Sequence, residues 1–376
     1  MRIPFNKPHL TFKEMGYISH AHSLGTLAGD GPYTKKCHQW LFNRLGTNCL
    51  LTHSCTAGLE MMAILSGLKK GDEVIMPSYT FVSTANAFVL RGAVPVFVDI
   101  KESDLNIDET LIESAITKKT RAIVVVHYAG VSCEMDLILK IAKKHKLLVF
   151  EDAAQGFLSK YRDKYLGTIG DFGAYSFHET KNIISGEGGT ININKKKFLE
   201  KAEIIREKGT NRSQFFRGQV DKYTWVEMGS SYLPSEIISA FLLAQLESSK
   251  EINDQRMKLW DVYHNSFKNL ENGGFLRRPI ISASCTHNAH MYYLILNSLE
   301  TRTRFIEFMK KKDIMCVFHY VPLHSSPAGK KYGRSSGKLT ITDDLSNRLV
   351  RLPLFYDLTN VEQEYIIESV HQFFQK

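Results

Sequence analysis

Leu147–Gln155 reads L-L-V-F-E-D-A-A-Q, a short apolar run that ends in two acids. A continuous apolar run is typical of a strand that is covered on both faces of a parallel sheet. Successive side chains of a strand point to opposite faces, so Glu151 and Asp152 face different layers. Ligands of such sheets bind at the carboxyl ends of the strands. We therefore expect Asp152 at a ligand site and regard Glu151 as the weaker candidate.

Six more apolar runs of similar length lie around this one. They are Cys49–His53, Glu73–Pro77, Val94–Ile100, Ala122–His127, Gly173–Phe177 and Thr190–Asn194. The segments between them have helical periodicity, as in Thr56–Leu68, Asp108–Thr117 and Cys133–His145. This alternation predicts an α/β fold, in which a mostly parallel seven-stranded sheet carries helices on both faces.

The pattern changes after about Gln245. It predicts one long helix over Ala244–Leu270, strands at His290–Leu296 and Met315–Val321, and helices at Arg302–Lys312 and Val361–Phe374. We therefore predict a large domain over residues 1–245 and a smaller C-terminal α/β domain over residues 246–376.

Composition narrows the class of protein. The chain has 376 residues, 43% of them hydrophobic, and a formal charge of +9, which favours an anionic ligand. The basic residues are interspersed with acids and form no nucleic-acid-binding motif. The six cysteines have no metal-binding spacing and fit a reducing compartment. We expect a cytoplasmic protein without a metal, nucleic acid or membrane partner.

Lys181 follows the sixth apolar run in S-F-H-E-T-K-N-I-I-S-G-E-G-G. A single loop lysine is most often a solvated surface residue. A lysine in a dry pocket, however, has a lowered pKa and becomes nucleophilic, as an aldehyde cofactor requires. Gly186, Gly188 and Gly189 allow the close backbone approach that such a pocket needs.

Two further segments could contact a flat, phosphorylated ligand. His53–Glu60 passes from a strand into a helix start, where free N–H groups favour phosphate. An ordinary N-cap at Ser54 or Thr56 is the alternative. Phe81 follows the second run and could either stack on a ring or pack in the core.

These segments together resemble the sugar aminotransferases of the DegT/DnrJ/EryC1/StrS family. The resemblance is carried by E-D-A-A-Q, S-F-H-E-T-K-N, G-E-G-G, P-S-Y-T-F-V-S-T-A-N-A and G-D-G-P-Y-T, and it spans essentially the whole chain. It implies the fold type I architecture of pyridoxal-phosphate-dependent transferases. It also implies at least a homodimer whose active sites are shared between chains.

The resemblance assigns a role to each candidate residue. Lys181 matches the lysine that forms a Schiff base with pyridoxal 5′-phosphate, Asp152 the acid at the pyridine nitrogen, and Gln155 the residue beside the ring hydroxyl. Phe81 matches the stacking aromatic residue. The phosphate contacts correspond to Thr56, Ala57 and Ser176. Ser231 stands where the family usually has an asparagine from the partner chain, and Leu233 stands where it usually has arginine.

The stretch Arg206–Trp225 resembles members that act on a nucleotide-linked sugar. The implied reaction moves an amino group from glutamate to C-4 of dTDP-4-keto-6-deoxy-D-glucose, for surface polysaccharide synthesis. The candidate substrate contacts are Arg212, Arg217, Lys222, Tyr320 and His324. An aminotransferase that acts at C-3 or on a UDP-linked sugar is an alternative, and so is a non-catalytic member of the fold. A related dehydratase would carry histidine in place of Lys181. His127 and His178 are more simply explained as hydrogen-bonded strand-end residues.

Overall fold

The computed structural model describes residues 2–375. The strands are β1 (Asn48–Thr52), β2 (Glu73–Pro77), β3 (Val94–Val98), β4 (Thr120–Val126), β5 (Leu148–Asp152), β6 (Lys160–Tyr161), β7 (Lys164–Tyr165), β8 (Phe172–Ser176), β9 (Gly189–Ile193), β10 (Leu276–Arg277), β11 (Cys285–Thr286), β12 (Tyr292–Leu296), β13 (Arg334–Ser335) and β14 (Leu349–Leu352).

The α-helices cover most of the remaining chain. They are α1 (Glu14–Ser23), α2 (Pro32–Leu45), α3 (Cys55–Leu65), α4 (Val82–Val89), α5 (Glu109–Ala115), α6 (Met135–His145), α7 (Leu199–Arg206), α8 (Arg212–Phe216), α9 (Glu236–Glu247), α10 (Ser249–Ser266), α11 (Lys268–Asn272), α12 (Leu299–Lys311), α13 (Pro327–Tyr332), α14 (Thr340–Arg348) and α15 (Asn360–Phe374). Within the described residues, no helix combines the length and the apolar character that crossing a membrane requires.

The main sheet has the strand order β1-β9-β8-β5-β4-β2-β3-β13. Only β9 runs antiparallel to its neighbours, β1 and β8, and the other pairs are parallel. The seven predicted strands are all present. The eighth, β13, has two residues and comes from the C-terminal part of the chain, where no local pattern indicated a strand.

Both faces of this sheet are buried, which explains the continuous apolar runs. Ile75 packs in the core cluster that also contains residues of α2, α6 and α9. Its neighbours Val74 and Met76 pack in the opposite cluster with α3, α4 and α7. The fold is therefore the predicted layered α/β architecture of fold type I transferases.

A second antiparallel sheet, β10-β12-β14, lies in the C-terminal part of the chain. It shares a core cluster with α10, α12 and α15, and Ile3 packs in the same cluster. The division at residues 245 and 246 stays a proposal.

Two predictions for the C-terminal part are wrong. The single helix over Ala244–Leu270 is three helices, because the backbone leaves helical geometry at Ser248 and Phe267. The strand predicted at Met315–Val321 is absent. Only Val317 pairs there, in an isolated bridge to Arg351, and the chain then passes His319 and Tyr320 along a cleft.

Candidate active site

A cleft of about 730 Å³ opens at the carboxyl ends of β5 and β8. The start of α3 and residues of the C-terminal part complete its walls. The predicted site residues that line it are Thr56, Phe81, Asp152, Gln155, Ser176, Lys181 and Tyr320. The sequence therefore identified residues that are far apart along the chain and that meet in one cleft.

Asp152 ends β5 and is buried. One carboxylate oxygen accepts a hydrogen bond from the Thr84 hydroxyl at 2.7 Å, and the other accepts from the Ala154 backbone at 3.1 Å. These two donors fix the orientation of the carboxylate, and a carboxylate held in this way suits a cationic ring nitrogen.

Glu151 faces the other layer, as predicted from strand alternation. Its carboxylate accepts hydrogen bonds from the backbones of Gly167, Ile169 and Gly170, and it contacts Nε2 of His127 at 3.0 Å. His127 is thus hydrogen-bonded at its strand end, as expected. This pair braces the loop between β7 and β8 and does not line the cleft.

Lys181 lies in the turn that follows β8, where its backbone N–H bonds to the carbonyl of His178. Burial lowers the pKa of Lys181 below its ordinary value, whereas nearby Cys55 and Asp152 act in the opposite direction and Arg351 adds to the lowering. A lysine with a lowered pKa is more often the free amine, which is the nucleophilic form.

The amino end of α3 supplies backbone N–H groups to the same cleft. Ser54 caps the helix by accepting from the Ala57 N–H at 3.1 Å, and the hydroxyls of Thr56 and Ser83 are 2.8 Å apart. Gly189 lies against this turn, since a Cβ there would sit 2.6 Å from the Ser54 carbonyl carbon and closer still to the Cys55 nitrogen. The glycine therefore lets β9 approach the helix end.

The cleft wall opposite α3 is aromatic. Tyr320 accepts a hydrogen bond from the Gln155 amide at 2.8 Å, and its ring stacks on that of His319 at 3.6 Å. Nδ1 of His319 is 2.7 Å from the Tyr128 hydroxyl. Burial, together with Arg351 and Lys181, holds the pKa of His319 well below its ordinary value, so this imidazole is neutral.

Several lining residues were missed by the sequence analysis. They are His290, Arg256, His319 and Arg351, with Thr84 behind Asp152. The first four come from the C-terminal part, where no motif marks a contact with β5. The hydroxyl residue that ends the P-S-Y-T-F-V-S-T segment was the one available signal for Thr84.

The other predicted substrate contacts lie outside this cleft. Arg212 pairs with Glu207 at 3.1 Å and Arg217 with Glu203 at 2.9 Å, while Lys222 is exposed. Ser231, a predicted cofactor contact, is also exposed and does not line the cleft of its own chain. His324 is 2.8 Å from the Ser78 hydroxyl. His178 does line the cleft, and its Nδ1 is 2.9 Å from the Thr180 hydroxyl.

The donor set fits a phosphorylated pyridine aldehyde. A helix N-terminus suits phosphate, a fixed carboxylate suits a ring nitrogen, and a half-buried amine with a lowered pKa suits an aldehyde. Fold and site together define a pyridoxal-phosphate-dependent aminotransferase. The chain belongs to the DegT/DnrJ/EryC1/StrS aminotransferase family, whose model matches residues 9–371. The cofactor of this family of sugar aminotransferases is pyridoxal 5′-phosphate.

Individual proteins resemble the chain over nearly its full length. An uncharacterized protein of Methanocaldococcus jannaschii is 36% identical over 359 residues, which are 92% of each chain. GDP-perosamine synthase of Escherichia coli O157:H7 is 31% identical and covers 99% of this chain and 98% of its own. The PLP form of Spr1654 from Streptococcus pneumoniae superposes with a TM-score of 0.92 at 25% identity, over 100% of this chain and 99% of that one.

Proposed function

We propose that the enzyme moves an amino group from glutamate to C-4 of dTDP-4-keto-6-deoxy-D-glucose. The product would be dTDP-4-amino-4,6-dideoxy-D-galactose, a precursor of surface polysaccharide. The enzyme would be the transaminase that forms this sugar, and it would act in the cytoplasm. The observation that carries the aminotransferase chemistry is the placement of Lys181 and Asp152 in one cleft. The choice of sugar rests on the resemblance of Arg206–Trp225.

The cofactor supplies an aldehyde carbon and an electron-withdrawing ring. Asp152 would face the ring nitrogen, and the Thr84 hydroxyl holds its carboxylate in place. The Lys181 amine would accept and return the proton that the substrate carbon loses or gains in each half-reaction. Its lowered pKa makes the free amine, which is the form that accepts a proton, more populated than in an ordinary lysine.

The remaining cofactor contacts are proposed from position. Thr56 and Ala57 at the start of α3, with the Ser176 hydroxyl, would hold the phosphate. Gln155 would lie beside the ring hydroxyl, and Phe81, which is 55% exposed at the cleft, is free to stack on the ring. Ser231 is exposed in its own chain and would reach the phosphate of a partner's cofactor.

The exposed segment after α7 would contact substrate in a dimer. Arg212, Arg217 and Lys222 lie there outside the cleft of their own chain, so a partner's cleft is where we propose that they act. Tyr320 lines the cleft of its own chain and remains a candidate contact to the sugar. His324 would act through Ser78 and not directly on the sugar.

Product analysis tests this proposal. The holoenzyme is incubated with L-glutamate and dTDP-4-keto-6-deoxy-D-glucose, and mass spectrometry and NMR locate the new amine. We expect the amine on C-4 and no turnover by Lys181→Ala, with Lys140→Ala on α6 as a control that keeps full activity. Absence of product with the wild-type enzyme would exclude the proposed sugar, and full activity of Lys181→Ala would exclude the mechanism.

A GDP-linked sugar is the second candidate. GDP-perosamine synthase is the reason, because this relative is 31% identical over 377 residues. Parallel incubations with GDP-, UDP- and dTDP-linked keto sugars separate the candidates by kcat/KM. A product with its amine on C-3 would make the enzyme a C-3 aminotransferase, and a higher kcat/KM for the UDP-linked sugar would make it a UDP-sugar aminotransferase.

A further inference from the structure

Two arginines line the cleft without a carboxylate partner. Arg256 and Arg351 both face the space that Lys181 occupies, and neither forms an ion pair with an acid of residues 2–375. Removing a cation from water is expensive unless an anion or several acceptors replace the solvent. The two arginines differ in how many hydrogen-bond acceptors their own chain supplies to the guanidinium.

Arg256 is satisfied by the backbone. Its Nε donates to the carbonyl of Ala289 at 3.2 Å and its Nη2 to that of His290 at 2.7 Å. Burial lowers its pKa to about 10. These two bonds fix the approach to β12, so Arg256 acts as a brace of the cleft wall.

The guanidinium of Arg351 has fewer hydrogen-bond partners than that of Arg256. Arg351 lies on β14, and its Nη2 donates to the Phe318 carbonyl at 3.3 Å while the guanidinium covers the ring of Phe5 at 4.6 Å. Its Nε is buried and has no hydrogen-bond partner among residues 2–375. A guanidinium has five N–H donors in a fork that matches a carboxylate, and most of them remain available here.

We propose that Arg351 binds a carboxylate of the amino donor. The proposal deepens the proposed function and rests on its amino-acid donor. The α-carboxylate of an amino acid is one bond from the carbon that carries the amine, so it must lie close to Lys181. Arg351 lines the same cleft and is near enough to lower the pKa of Lys181. The pyrophosphate of a nucleotide sugar, in contrast, is attached at C-1, across the sugar ring from C-4.

The same position also serves the second half-reaction. When the keto acid has left, the guanidinium faces the sugar, whose hydroxyl oxygens accept hydrogen bonds from it. Arg351 would thus bind the donor by charge and the acceptor by neutral hydrogen bonds.

Equilibrium binding of glutarate to the holoenzyme tests the assignment. Glutarate is a dicarboxylate without an amine, so it occupies the donor site without reaction, and its dissociation constant follows from calorimetry. Arg351→Gln is expected to raise the dissociation constant of glutarate by at least about tenfold, as loss of a charge-assisted hydrogen bond implies. Arg351→Lys keeps the charge and loses the fork, so its affinity is expected between those of Arg351→Gln and the wild type.

Arg302→Gln is the matched control. Arg302 covers the ring of Phe318 at 5.5 Å, donates to the Ser346 carbonyl and does not line the cleft. The Arg302→Gln substitution removes one positive charge from the same neighbourhood, and we expect its glutarate affinity to be within about twofold of the wild type. Glutarate binding by Arg351→Gln within twofold of the wild type would overturn the proposal. If Arg351→Gln does not fold, unchanged binding by Arg351→Lys has the same consequence.

Binding of dTDP identifies the source of the anion. We expect Arg351→Gln to leave the dissociation constant of dTDP unchanged. If Arg351→Gln binds dTDP more weakly and glutarate with unchanged affinity, Arg351 contacts the nucleotide, and the carboxylate assignment is overturned. Both titrations remain informative if the enzyme prefers a different keto sugar, so failure of that substrate is distinguishable from failure of this inference.

Discussion

At the scale of single residues, we predict that Asp152 serves catalysis and that Glu151, next to it on the same strand, serves stability. Asp152 faces the cleft, so Asp152→Asn is expected to lower kcat by at least about 100-fold while the fold stays intact. Glu151 accepts three backbone N–H bonds on the other face. Glu151→Gln is expected to lower the free energy of unfolding by about 1–3 kcal/mol, with kcat of the folded fraction retained. Steady-state rates measure the first effect and urea unfolding measures the second. A large loss of kcat in Glu151→Gln, with full activity in Asp152→Asn, would contradict the proposed role of Asp152.

The charges around Lys181 predict that two substitutions shift its pKa in opposite directions. Burial lowers its pKa, so the pH midpoint of its reductive methylation in the apoenzyme is expected below 10.5. Arg351 lowers this pKa and Asp152 raises it. The midpoint should therefore rise in Arg351→Gln and fall in Asp152→Asn. Peptide mass spectrometry across a pH series measures it, and shifts in the same direction would contradict the proposed arrangement.

At the scale of elements, we predict that cofactor binding depends on the contact between β9 and the start of α3. A Cβ at Gly189 would collide with the backbone of Ser54 and Cys55, so Gly189→Ala must displace the helix end or the strand. We expect at least about tenfold weaker cofactor binding, since the backbone N–H groups of a helix start bind phosphate only when they converge on it. Spectral titration of the apoenzyme with pyridoxal phosphate measures the change.

Gly16→Ala is the matched control for this substitution. Gly16 lies in α1, and a Cβ there meets nothing within 4 Å. Alanine is favoured over glycine in a helix by about 0.5–1 kcal/mol, so this variant should be slightly more stable and bind the cofactor normally. Normal cofactor binding by Gly189→Ala would argue against a phosphate site at α3.

The sequence predicted elements well where each one carries its own signal. The strands β1 to β5, β8 and β9 lie within one or two residues of the predicted runs, because burial on both faces makes most of these runs predominantly apolar. The breaks between α9, α10 and α11 were not predictable. Ser248 and Phe267 are ordinary helix residues, and only their packing against neighbouring elements sets the bends.

At the scale of the whole molecule, the cleft joins two distant parts of the chain. Lys181 and Asp152 were predictable, since the carboxyl ends of neighbouring parallel strands meet at one edge. Arg351 and His290 were not, because they enter the cleft through β14 and the approach to β12, and no sequence pattern links that sheet to β5. Local patterns therefore locate the part of the cleft formed by β5, β8 and the start of α3, and they leave the part formed by the C-terminal residues undetermined.

The exposed aromatic residues from the end of α8 to the start of α9 support a prediction about assembly. Phe216 is 69% exposed and Trp225 is 79% exposed, although large aromatic side chains are usually buried. We infer that they are covered by a second chain. Trp225→Asp is then expected to weaken dimerisation by at least about thirtyfold, the effect of losing an interface hot spot of about 2 kcal/mol.

Sedimentation equilibrium measures this change, together with turnover at several protein concentrations. The wild type should sediment as at least twice 42.8 kDa. Because Trp225 lies outside the cleft, activity lost in Trp225→Asp should return as the concentration rises and dimers re-form. Val361→Asp is the control, since Val361 is 67% exposed at the start of α15, where an acid favours the helix. A fully active monomer of Trp225→Asp would show that each chain builds its site alone.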